Sequence, residues 1–348
     1  TYAESIVFRL RTLPRYFDEA MGLLMKLFSD LPWSEQAVNE EKQVVLRQIE
    51  QEDVDFEEEV KRRYRKTAAG AFPIMGTTES VSGMSAATIR RWQRQVFRPS
   101  NAVLCLSGNF SRAMEATAAA MLGELPASDD PSPFEQPTPL GFCMRDEHSD
   151  YVTEQEGGQA KVRIAFDLND DQVFPLVGEV LSAITGENNS SLLFQTLREE
   201  EALVAEIDSS IEEMGMFRRL VIDYDVEQDK LAQSLREVFG LLARLTKYVR
   251  PVRLEQCRTQ FTDNLVMLLD DGDAMNDLMG WGALADDLTR ADLDTKARMF
   301  DDLTCEDLLD AAQCVFRRDN LCISIQRDPS KGPRSLKKLL HEVRELLP

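Results

Sequence analysis

SAATIRRWQRQVFRPSNA, residues 85–102, returns without a gap as TCEDLLDAAQCVFRRDNL, residues 304–321, at a constant offset of 219 (85 to 304, 102 to 321). Val96, Phe97, Arg98 and Asn101 recur as Val315, Phe316, Arg317 and Asn320. Ser85 and Thr304 both stand where a helix needs a hydroxyl to accept from its first free N–H groups. Ile89 and Leu308 fall on the same apolar stripe, and each helix runs into a short apolar strand, Ala102–Ser107 and Leu321–Gln326. Agreement in cap, stripe, VFRxxN turn and following strand favours duplicated modules. Each module is expected to be α+β, an antiparallel sheet covered by helices.

The boundary between the copies is legible. Residues 126–142, PASDDPSPFEQPTPLGF, carry five prolines among Ser, Asp and Gly, the composition of a linker. This divides the chain into 1–125, a linker over 126–147, and 148–348. In the first part a strand is expected at Ser5–Leu10 and helices at Pro14–Ser29, Ser34–Lys66, Ser85–Phe97 and Ser111–Gly123, with a loop around Pro73 and Gly76. In the second, strands are expected at 160–168, 203–209, 217–223 and 321–326. Helices are expected at 171–185, stopped by Gly186, at 190–201, and through most of the remainder. The chain opens on Thr1-Tyr2-Ala3-Glu4 and moves at once into a strand-like run, without initiator Met or signal peptide, so it reads as the remainder of something longer.

Composition narrows the function. At 348 residues with 43% hydrophobic content, 17 Gly and 14 Pro, the chain is helix-rich and large enough for two domains. A net charge of −21 argues against a nucleic-acid partner, and no apolar run is long enough to span a membrane. The six cysteines form no CxxC pair and read as buried free thiols in a reducing, cytoplasmic setting. Only two histidines, His148 and His341, are present, and both read as surface residues. A metal site made within this chain lacks its commonest ligand.

One further stretch stands out. EEKQVVLRQIEQED, residues 40–53, lies inside the Pro-free and Gly-free run Ser34–Lys66. Glu41, Val45, Gln48 and Glu52 recur at helical spacing and share a face. Such a face can line a polar site or can be a solvated acidic surface, and local spacing does not separate the two.

Taken together these stretches resemble the insulinase-type metallopeptidases, family M16, the group that includes mitochondrial processing peptidase. TYAE resembles the segment before that family's inner strand, and residues 41–49, EKQVVLRQI, resemble its E-K-x-V-V-x-E-E-I helix. The Pro73–Gly76 loop and FRPSNAVLCLSGN resemble its G-T-x-E-x-(I/V) loop and Y-x-P-x-N strand. SSLLFQTLREEEALVAEIDSS, residues 190–210, resembles its S-x-L-F-x-x-L-R-E-x-x-G-L-A-Y-x-V-x-S stretch. The resemblance covers nearly the whole chain.

The resemblance implies a zinc peptidase fold with departures at the site. The family's H-x-x-E-H is absent here and is expected a few tens of residues before Thr1. Its third zinc ligand falls on Gln48, a neutral amide in place of a carboxylate, and an earlier acidic residue lining the site falls on Glu41. Glu52, one turn further on, is displaced by about 6 Å and does not substitute. The family's substrate-holding Arg falls on Arg198, for which a salt bridge along the helix competes as an explanation, and its oxyanion-holding Tyr falls on Ala205. The resemblance therefore implies a degenerate member with no cofactor of its own, zinc belonging to the parent family. Expected partners are a peptide or unfolded polypeptide and another subunit of the same family, in a homo- or heterodimer. The alternatives are a zinc endopeptidase completed upstream of residue 1, and a structural subunit of a larger assembly.

Overall fold

The computed structural model describes residues 5–29, 31–51, 56, 60, 73–125, 150–168, 175–214, 217–284 and 293–348. The linker at 126–147, His148, Cys143 and Glu52 lie outside the described residues. The chain divides into two compact units. One takes in Thr1–Val54, Ala68–Thr138 and Asn264–Lys296, the other Asp55–Thr67, Pro139–Asp263 and Ala297–Pro348.

The second unit holds a five-stranded sheet: β1 (Tyr151–Glu154), β2 (Ala160–Asp167), β3 (Val204–Met214), β4 (Phe217–Val226) and β5 (Leu321–Arg327), in the order β1-β5-β2-β4-β3. Its pairs are antiparallel except β1 with β5, which run parallel with Tyr151 opposite Ser324. Strand β1 had no sequence expectation, being four residues long at the sheet's edge. One face carries Val162, Ile164, Phe166, Leu220, Ile222, Leu321, Ile323 and Ile325 into the main core. The helix Leu231–Leu245 answers with Leu231, Leu235, Val238, Phe239, Leu242 and Leu245, a run of threes and fours that buries one stripe. Each such side chain contributes on the order of 1.5–3 kcal/mol of burial. The opposite face is also covered, because Ala165, Val221 and Cys322 pack with Phe56 and Val60. With both faces buried, β2 loses the in-out alternation of a half-exposed strand.

Two helical expectations change. The segment expected to end at Gly186 is an α-helix over Pro175–Ser182 that widens into a π-helical turn, Ala183–Glu187. Gly186 is no stop there: a Cβ on it would lie 2.8 Å from the Cβ of Ser209, so the helix can approach β3 only at glycine. The helix expected at 190–201 is π-helical over Phe194–Glu200.

The first unit is helical among its described residues. Phe17–Met25 packs on Arg112–Gly123, burying Met21 and Ala118, and Glu35–Gln51 packs on Thr78–Ser82, burying Val38 and Val81. The short Thr78–Ser82 helix sits where only a loop was expected, started by a capping box in which Thr77 and Ser80 each accept from the other's N–H. The segments Ser5–Leu10 and Ala102–Ser107, expected as strands, have no regular secondary structure and join no ladder among the described residues. Their β-branched and aromatic residues favour the extended form, but a strand exists only with a partner to bond to.

The repeated segments fold alike. Helices Ala86–Val96 and Cys305–Val315 are capped by Ser85 and Thr304, and each ends with a bond from Phe97 N–H to Gln93 O (2.8 Å) or from Phe316 N–H to Ala312 O (2.9 Å). A 3-10 turn follows, in which Asn101 Nδ2 donates to Val96 O (3.1 Å) and Asn320 Nδ2 to Val315 O (2.9 Å).

Candidate functional site

Glu41 and Gln48 sit on the Glu35–Gln51 helix of the first unit. Ser34 Oγ starts that helix by accepting from Ala37 N–H at 3.1 Å. Its inner side is tied down where Lys42 Nζ donates to Met84 O (2.9 Å), Glu35 Oε1 accepts from Ala86 N–H (3.2 Å), and Val38 is buried. Seven residues apart, Glu41 and Gln48 lie within about 20° of one another around the helix axis and about 10 Å along it. Both are exposed. The structure therefore gathers these two on one open face, as their spacing predicted.

Arg198 and Ala205 belong to the second unit. Arg198 rides on the Phe194–Glu200 π-helix, its guanidinium 4.8 Å from the centre of the Phe194 ring and 3.7 Å from the Glu199 carboxylate. Both of these neighbours lie on the same helix as Arg198. Ala205 presents only a methyl group, on an exposed stretch of β3 where the register with β4 shifts between Val204 and Ile207. Just before it, Ala202 takes φ +48°, a left-handed conformation that a residue with a Cβ adopts at a cost of about 1 kcal/mol. Its carbonyl is held by Lys230 Nζ at 2.9 Å.

Two groupings had no signal in the sequence, because their members come from distant segments. On the outer sheet face the buried Arg163 pairs with Glu212 and, at 3.6 Å, with Asp223, while Arg219 pairs with Asp167 at 2.7 Å. Near the π-helical turn, burial raises the Asp208 carboxyl against the pull of the Ser209 N–H. Glu187 is raised by burial, then by the charges of Asp208 and Glu179. Cys257 is pushed up to about 11 by burial and then by Glu187, with Arg253 opposing, so it is held as the unreactive thiol. The described cysteines Cys105, Cys257, Cys305, Cys314 and Cys322 are all free, and His341 is exposed on the helix Leu336–Arg344.

Residues 83–261 match the family model described as the peptidase M16 inactive domain. The chain belongs to the M16 peptidase family. It is 22% identical over 282 residues to the uncharacterized zinc protease YmxG of Bacillus subtilis, covering 78% of this chain and 66% of that protein. Against an uncharacterized zinc protease of Rickettsia felis it is 22% identical over 276 residues, covering 76% and 64%. The chain thus spans just under two thirds of the length of these relatives. In fold it is similar to a protease from Helicobacter pylori (TM-score 0.76, 16% identity, 90% of this chain and 77% of that one). It is similar also to an M16 inactive domain from Pseudomonas fluorescens (TM-score 0.76, 17% identity, 91% and 76%). A chain of complex III2 from Candida albicans matches as well (TM-score 0.76, 16% identity, 96% and 81%).

The zinc named for the M16 relatives does not fit the described residues. Among the described residues no three His, Cys, Asp or Glu side chains gather into a metal-holding cluster. On the Glu41 face the second group is the amide of Gln48, which carries no charge to offset a dication. No described helix is long and apolar enough to cross a membrane.

Proposed function

We propose that this chain is a non-catalytic M16 protein that serves as a partner, or as a wall of the substrate chamber, for an active family member. Gln48 carries the reading: it stands exposed two turns from Glu41, on the same helix face, where the family resemblance expects a ligand carboxylate, and a neutral amide is a poor ligand for zinc. Ala205 supports it independently, since a methyl group cannot donate to a developing oxyanion, a loss that costs about 3–4 kcal/mol of transition-state stabilisation. In this reading residues 1–125 and 148–348 are duplicated N-terminal-type and C-terminal-type modules. Arg198 is a substrate-binding residue, an unfolded polypeptide is the ligand, and the setting is cytoplasmic.

The test is metal analysis together with hydrolysis of an unfolded polypeptide. The purified chain is expected to hold no stoichiometric zinc and to cleave nothing, and about one zinc per chain overturns the reading. Gln48→Glu alone is expected to stay inactive, and peptide hydrolysis by that variant overturns the assignment of Gln48.

Two other readings have an observation each. The relatives named zinc proteases favour an endopeptidase whose H-x-x-E-H lies upstream of residue 1. The sequence of the parent gene before Thr1 decides it. The likeness to a chain of complex III2 favours a structural subunit, for which co-purification with a membrane assembly is the test.

A further inference from the structure

The Ala86–Val96 helix borders an open groove of about 470 Å³ lined by Ala87, Arg90, Arg91, Arg94, Gln95 and Arg98. These positions recur at threes and fours, so four guanidinium groups share one strip of surface. The chain around them carries a net charge of −21. The strip is no requirement of the helix it lies on. At the matching positions, 219 residues on, the second unit has Glu306, Leu309, Asp310, Gln313, Cys314 and Arg317, with one cation where the first has four.

Two of the guanidiniums are set in place by backbone carbonyls: Arg90 Nη2 donates to Trp33 O at 2.9 Å and Arg98 Nε to Arg94 O at 3.3 Å. Arg90 keeps further N–H groups for another acceptor. Arg91 is exposed and makes no ion pair with an acidic side chain among the described residues. From Ala87 to Gln95 the helix rises about 12 Å, the length of about four residues of extended chain.

We propose that this groove is a subsite for an extended acidic stretch, about four residues rich in Asp or Glu, of a polypeptide partner. Guanidinium forks match carboxylates in two-bonded pairs, so the strip selects charge and spacing together. A nucleic-acid strand is disfavoured, because its continuous phosphate charge meets the field of the whole acidic chain, while a short acidic run in a mixed polypeptide meets mainly the local groove. The proposal stands apart from the reading of Glu41 and Gln48, and neither outcome there alters it.

The full chain is titrated at about 50 mM salt, where screening is weak, with dye-labelled tetraglutamate, tetraglutamine and tetralysine peptides and with tetrathymidylate. Ala87→Glu, which installs the acid found at 306, and Arg91→Glu both change exposed positions, and circular dichroism checks that each folds. Tetraglutamate is expected to bind tighter than the other three, and each variant to weaken it by about 3- to 10-fold. Tetraglutamate affinity unchanged by both variants, equal binding of tetraglutamine, or tighter binding of tetrathymidylate overturns the proposal. So does a dimer of the unaltered chain that Ala87→Glu dissociates, because the groove then belongs to a second copy.

Discussion

At Cys305–Val315 the stripe Leu308, Ala311, Ala312, Val315 and Phe316 is buried, and Phe316 stands edge-on to Phe166 of β2 at 5.1 Å. At Ala86–Val96 the matching positions are Ile89, Trp92, Gln93, Val96 and Phe97. Trp92 is 41% exposed, and Ile89, Val96 and Phe97 are half-buried. Phe97 makes its ring contacts with Phe8 and Trp92, both at 5.6 Å, within its own unit. The exception is Gln93, buried at the place of Ala312 and fully engaged. Its Oε1 accepts from Trp33 Nε1 (2.8 Å), and its Nε2 donates to Leu27 O (3.1 Å) and Ser29 O (2.9 Å). One helix is thus held by apolar packing on a sheet, and its counterpart by a buried amide that ties together the chain around residues 27–33. The same cap, stripe and turn serve two kinds of adhesion.

The largest effects that test this contrast lie in the aromatic pair. Phe316→Ala removes a fully buried ring and is expected to cost about 3–5 kcal/mol in denaturant unfolding. Phe97→Ala is expected to cost less than half as much, about 1–2 kcal/mol, because its ring is only half covered. Equal losses break the comparison. Next comes the exchanged position. Gln93→Ala strands one donor and two carbonyls and is expected to cost about 2–3 kcal/mol. Ala312→Gln puts an amide into an apolar pocket for a similar loss. A neutral Gln93→Ala would show that the hydrogen bonds do not hold the first helix.

The smallest effects lie at the caps. Thr304 closes a full capping box, with its N–H and hydroxyl on Asp307 Oδ2 (2.8 and 2.7 Å) and its Oγ1 accepting from Asp307 N–H (3.2 Å). Ser85 accepts from Thr88 N–H at 3.2 Å and shares a hydroxyl bond with Thr88, with no carboxylate involved. Thr304→Ala is expected to cost about 1–1.5 kcal/mol and Ser85→Ala about 0.5–1 kcal/mol. The bonds from the Thr304 hydroxyl, and then from its N–H, hold the Asp307 carboxyl below its usual range. A carboxyl lowered on folding stabilises above its unfolded pKa of about 4, and that contribution fades as pH falls through the folded value. Melting curves should therefore show the Thr304→Ala deficit shrinking in acid and the Ser85→Ala deficit staying flat. A Thr304→Ala deficit that does not change with pH would remove Asp307 from the box.

Much of this was readable in advance. The repeat, its two caps, the strands of the second unit and the shared face of Glu41 and Gln48 follow from local spacing, which governs cap chemistry and helix faces directly. What escaped depends on segments far apart in the chain. The π-helical turn at Gly186 is set by the approach of Ser209, and the edge strand β1 is set by β5, which comes about 170 residues later. Ser5–Leu10 and Ala102–Ser107 read as strands because propensity reports the backbone's preference and is silent about partners. At the candidate site, Gln48 was legible because an amide on the same helix face as Glu41 is a local fact. That Arg198 stacks on Phe194 is local to one helix, whereas that Ala205 lies on a register shift emerged only when β3 met β4.

Taken alone, the sequence determined which residues start, line and end the two repeated helices, since those depend on side chains within four positions of one another. Tertiary structure decided what each helix is held by: a sheet face under Phe316, a triad of hydrogen bonds around Gln93. Burial and hydrogen-bond satisfaction are properties of what arrives from elsewhere in the chain, and no window of sequence contains its own neighbours.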